Sequence, residues 1–345
     1  MKYLSLLFDE AHLAEIVATS SFPFLIILIL FCIFILSKGA DWMIDGAVAM
    51  AFKTGVSQIA IGATIISLGT TTPEAFVSVF AAWMGNPDLA LGNGVGSIIV
   101  DTGLIFGLTC LIAATPANKF ILNRTGWVQV GSATLLVSIS LISFISTSGQ
   151  PVLSRWVGVS FLLLLVMYIL ATIRWSKEAA ALDSNQNAGM SYSACPLWKC
   201  WLQIFIGLAL VITGARILIP SASELAMRLG VPNDVIAATM VALGTSLPEL
   251  ITAISAVRKG HPEITVGNIV GADVLNCLFV IGASASVSPL VIPANFFIFH
   301  FPVMLLILYS FRFFIFLNKD GIFRRWQGGW LVMIYFFYII FQYAR

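Results

Sequence analysis

The stretch Leu68-Gly69-Thr70-Thr71-Thr72-Pro73-Glu74 occurs a second time, as Leu243-Gly244-Thr245-Ser246-Leu247-Pro248-Glu249. The recurrence extends well beyond these residues. Residues 62–107 and 237–282 align without a gap at a constant offset of 175, with 15 of 46 positions identical. Each copy continues into a second motif, Gly92-Asn93-Gly94-Val95-Gly96-Ser97 and Gly267-Asn268-Ile269-Val270-Gly271-Ala272. Upstream, Gly39, Ala40, Ala47, Ala51, Gly55 and Val56 recur as Gly214, Ala215, Ala222, Ala226, Gly230 and Val231. A carboxylate after a helix-breaking proline, duplicated inside apolar sequence, is the pattern of a binding site shared by two halves of a transporter.

Composition sets the surroundings of these motifs. Charged residues make up 10% of the 345 and hydrophobic ones 59%, with mean hydropathy +0.98; soluble domains carry about 25% charge. The chain therefore reads as a polytopic membrane protein whose partner is the lipid bilayer, and its net charge of +2 gives no reason to expect nucleic acid. Asp9, Glu10 and Glu15 occupy the place where a cleaved leader would be apolar, so the first residues read as a surface segment. Cys195 and Cys200 form a C-x4-C pair without further ligands, a poor basis for zinc.

Hydropathy divides the chain into about ten spans, near residues 22–50, 57–84, 88–115, 125–147, 152–174, 200–228, 233–258, 262–286, 295–317 and 326–343. The expected fold is an all-α membrane protein of two five-helix halves, 1–175 and 200–345, joined by a polar linker, 176–199. An odd number of spans per copy makes the second copy enter the membrane from the opposite side, so the repeats are inverted. Twelve lysines and arginines lie in the odd-numbered loops and four on the other side, which places the linker in the cytoplasm and both termini outside.

Pro73 and Pro248 lack an N–H and are expected to break the second and seventh helices, freeing the carbonyls of Gly69 and Gly244 beside Thr70 and Thr245. Freed carbonyls, hydroxyls and a carboxylate at each break present oxygen to a hard cation, while His12, His261 and His300 lie outside both motifs. Ser97 and Asp101, four apart on one helix face, add a second ring whose repeat partners are Ala272 and Asn276. Asp273 falls on a different face and reads as a polar pore-wall or helix-pairing residue.

At these motifs the chain resembles the cation/calcium antiporter superfamily, which includes the prokaryotic sodium/calcium exchangers; the two Pro-Glu stretches look like its paired alpha-repeat signatures. The resemblance implies a calcium site from Glu74, Glu249 and the carbonyls of Thr70 and Thr245. It further implies sodium sites using Thr71, Ser97, Ser246 and the carbonyls of Ser67 and Ala242. Two positions depart from the pattern. Ala272 stands where a serine is common, and the second-ring carboxylate sits at Asp101 while Asn276 holds the amide, so its role becomes one of charge balance. The function implied is secondary active exchange of calcium for sodium in the cell (inner) membrane, with no cofactor, inorganic cations as partners and no required oligomer. Proton/calcium exchange is the alternative, a cation channel a weaker one, and no nucleophile-base pair suggests an enzyme.

The topology makes a direct prediction. On a cysteine-free background, a cysteine introduced at Ser184 should react with an impermeant maleimide only after the membrane is opened. Labelling from outside intact cells would reverse the orientation.

Overall fold

A computed structural model describes residues 16–113, 115–116, 119–146, 150–182, 196–230, 242–318 and 320–343. The first long helix, α1 (Phe22–Thr54), opens with Pro23 in its first turn and stops at Gly55, whose φ of 67° is left-handed. Then come α2 (Gln58–Trp83), α3 (Pro87–Ile112), α4 (Lys119–Ser146), α5 (Arg155–Leu182) and α6 (Leu197–Arg228). The second half continues with α7 (Ala242–Thr245), α8 (Leu247–Arg258), α9 (Pro262–Val287), α10 (Phe296–Leu317) and α11 (Arg325–Tyr343). Among the described residues eight helices, α1 to α6, α9 and α10, are long and apolar enough to cross a membrane. The span read near residues 233–258 is described only from Ala242 onward, as the short helices α7 and α8.

Residues 176–182, read as the beginning of the polar linker, continue α5 as helix to Leu182. Ser184 and Cys195, like the segment 231–241, lie outside the described residues.

Contacts distant in sequence sort the connections into two groups. Strand β1 (Thr115–Pro116) pairs antiparallel with β4 (Ile322–Phe323), joining the α3–α4 and α10–α11 connections. Strand β2 (Val152–Leu153) pairs with β3 (Leu290–Val291), joining the α4–α5 and α9–α10 connections. Strands β1 and β3 stand 175 residues apart, so the repeat offset persists past both motifs.

Small residues set how closely the helices approach. A Cβ on Gly39 of α1 would lie 2.7 Å from the carbonyl oxygen of Gly207 in α6, and one on Gly207 would lie 2.5 Å from that of Gly39. The glycines of the second motif do the same for α9 against α2: a Cβ on Gly267 would collide with the Ile59 carbonyl oxygen, and one on Gly271 would sit 2.6 Å from Ala63 Cα. The outward faces carry exposed Ile27, Leu163, Met167 and Phe316, with exposed Trp83, Trp156, Trp198 and Trp326 at helix ends, as expected of a lipid-facing belt with aromatic borders.

This packing is testable by substitution. Gly267→Ala places a methyl against backbone and should lower the melting temperature of the detergent-solubilised protein by the equivalent of roughly 1–3 kcal/mol or more. Gly131→Ala, where a Cβ meets nothing within 4 Å, should leave it unchanged or raise it. Equal melting temperatures for Gly267→Ala and the unsubstituted protein would contradict the close contact.

Candidate cation site

The two Pro-Glu motifs reach the centre by different backbone routes. Helix α2 runs through Pro73 without interruption, contrary to the break expected there, and its irregularity is a π-helical turn upstream at Gly62–Ile66. The Thr72 hydroxyl donates to the Leu68 carbonyl at 2.5 Å, and the Asn93 amide donates to the Glu74 carbonyl at 3.3 Å, so side chains stabilise the backbone on either side of the proline. In the second half the break is real but falls at Ser246, between α7 and α8, two residues before Pro248, which then occupies the first turn of α8. Proline is tolerated in a first turn because the N–H it lacks would be unpaired there in any case.

Glu74 and Glu249 are each 1% exposed, and Asp101 is fully buried. Around them Ser67, Thr70, Thr71, Ser97, Ser246, Asn268 and Asn276 are also buried, whereas Thr245 is half-buried. Ala242 begins α7, and its side chain lies outside the described residues. Ala272 is buried and contributes no hydroxyl.

Residues 175 positions apart meet at the centre. The Asn276 amide donates to Asp101 Oδ2 at 3.5 Å, and Glu249 is a charged neighbour of Glu74. Asp101 also lies near both glutamates and beside Ser246. The Thr71 hydroxyl donates to Glu249 Oε1 at 3.5 Å, and the Thr70 hydroxyl reaches the Ser67 carbonyl at 3.3 Å and Asn268 Oδ1 at 3.5 Å. Both carboxylate oxygens of Glu74, Oε2 of Glu249, Oδ1 of Asp101, Oδ1 of Asn276 and the Ser97 hydroxyl have no hydrogen-bond partner. Buried oxygens left this way are costly unless a cation or proton completes them.

Among the described residues no three carboxylate, thiol or imidazole groups converge tightly enough to hold a metal ion by themselves. Hydroxyl, amide and carbonyl oxygens must therefore supply the rest of any coordination shell. Asp101 and Asn276 both sit in π-helical turns, Ile99–Phe106 in α3 and Asn276–Ile281 in α9, which rotate them relative to a regular helix.

Asp273 turns away from this ring, as its helix position suggested. Its Oδ2 accepts hydrogen bonds from Thr102 and, at 2.6 Å, from Gln129 of α4. Sequence reasoning missed Gln129, because a lone glutamine outside both motifs carries no repeat signal. It also assigned no role to Asn93, whose amide donates to Ser78 at 2.9 Å and ties α3 to α2; its presence in both motifs was the available signal. Asp41 lies outside the ring and accepts from Ser255 at 2.6 Å.

A profile described as sodium/calcium exchanger protein matches residues 24–174 and 199–344. The chain is 30% identical to the putative antiporter CaxA of Alkalimonas amylolytica over 78% of this chain and 82% of that one. It is 28% identical to the sodium/calcium exchanger MaX1 of Methanosarcina acetivorans over 91% and 97%. A solved structure of the sodium-calcium exchanger NCX_Mj, soaked with zero Na+ and Ca2+, superposes with a TM-score of 0.76 at 25% identity, covering 92% of this chain and 98% of that one. The chain belongs to the sodium/calcium exchanger protein family of multi-pass membrane transporters.

Proposed function

We propose that the chain exchanges calcium for sodium by alternating access between two inverted five-helix halves, residues 1–175 and 200–345. The observation that carries this reading is the contact of the two motifs, Asp101 with its repeat mate Asn276 and Thr71 with Glu249, around buried oxygens that lack partners, those of Glu74 among them. Residues that touch their own repeat mates lie on the axis relating the copies, where a site can open to either side. The two strand ladders support the ten-span arrangement, since each joins connections that it places on one face: cytoplasmic for β1 with β4, external for β2 with β3. That arrangement puts the linker inside and both termini outside, in the cell membrane.

Calcium takes about six to eight oxygens. Glu74 and Glu249 supply carboxylates, and the carbonyls of Thr70 and Thr245 are the further ligands of this reading. Sodium would use Thr71, Ser97, Ser246 and the carbonyls of Ser67 and Ala242. Asp101 balances charge, with Asn276 as its neutral mate. When empty and ionised, the ring holds three buried negative charges, Glu74, Glu249 and Asp101, and their burial opposes movement until cations enter. Either calcium or sodium lowers that barrier, and shared glutamates make the two compete. Ala272, which lacks the hydroxyl of a sodium ligand, favours the second reading, in which protons replace sodium.

Two measurements follow. In proteoliposomes, radioactive calcium uptake should be driven by an outward sodium gradient and not by a pH gradient alone; the reverse would establish proton coupling. Glu74→Gln and Glu249→Gln should each abolish that uptake and the thermal stabilisation given by calcium. Ion-free Glu74→Gln should melt at or above the temperature of the ion-free unsubstituted protein, because it removes an unpaired buried charge. Near-normal uptake by folded Glu74→Gln would refute the ligand assignment.

A further inference from the structure

The contacts of Asp273 form a second polar cluster that the exchange site does not use. Thr102 of α3, Gln129 of α4 and Asp273 of α9 are 0%, 1% and 1% exposed. Thr102 and Gln129 both donate to Asp273 Oδ2, and the Gln129 amide lies 3.4 Å from the Thr102 hydroxyl. Asp273 Oδ1 and Gln129 Oε1, both acceptors, have no partner.

The repeat shows that the fold does not need polarity here. At the offset of 175, Thr102, Gln129 and Asp273 correspond to Cys277, Met304 and Ile98, which are all buried in the hydrophobic core. One copy of the position is thus apolar, while the other buries a carboxylate and an amide with oxygens unmatched. Burying such groups without a partner is unfavourable, so a ligand of positive charge is the natural complement.

We propose that Asp273, Gln129 and Thr102 form a separate site for one monovalent hard cation, with sodium as the ion. The atoms left open to a ligand, Asp273 Oδ1 and Gln129 Oε1, are both oxygens, which suits sodium over a soft metal. A single carboxylate matches one positive charge, and Asp101, the charged group near Asp273, adds attraction without joining the cluster. Occupancy would couple this site to the exchange ring through that electrostatic contact.

The test counts bound radioactive sodium per chain at saturation in purified protein, alongside calcium binding, for Asp273→Asn and Gln129→Met. Asp273→Asn preserves shape, and Gln129→Met copies the residue at the repeat-related position, so at least one variant should fold. Each is expected to lose one sodium equivalent while calcium still binds. An unchanged sodium count in the folded variants, including one accompanied by altered proton uptake, would overturn the assignment; so would loss of calcium binding in both. Failure of the unsubstituted protein to bind calcium would refute the proposed exchange function, while the sodium count would still judge this site.

Discussion

Glu74 and Glu249 are both buried in the interior within electrostatic reach of each other, with most of their oxygens unpaired by protein. That constraint organises the rest of the molecule. Two buried carboxylates within electrostatic reach repel each other and lose hydration, so the arrangement is costly until cations or protons complete it. In the proposed mechanism, this requirement is what couples one ion to the other.

Close helix packing brings the two motifs into contact. Gly267 and Gly271 bring α9 against α2, and Gly39 and Gly207 bring α1 against α6. The π-helical turns then place Asp101 and Asn276 in contact across the two halves. Small residues and irregular turns thus have separate tasks: the first fix distance, and the second fix direction.

Composition and hydropathy made the membrane class legible in sequence, and the repeated motifs marked Glu74, Glu249, Asp101 and Asn276 at one offset, all four of which the fold buries. Backbone detail was less legible. Proline chemistry suggested a break at Pro73, yet the helix continues there and widens upstream, with Thr72 and Asn93 supporting the backbone. The Gln129 contact was hidden because it depends on how α4 packs against α9, which no local pattern encodes.

The most direct test of the coupling claim is calcium release from preloaded proteoliposomes into a medium with choline and a calcium chelator, compared with media containing calcium or sodium. The account predicts slow release into the cation-free medium and rapid release when either ion is supplied outside. Equally rapid release in all three media would contradict the claim that the empty carboxylate ring resists changing sides.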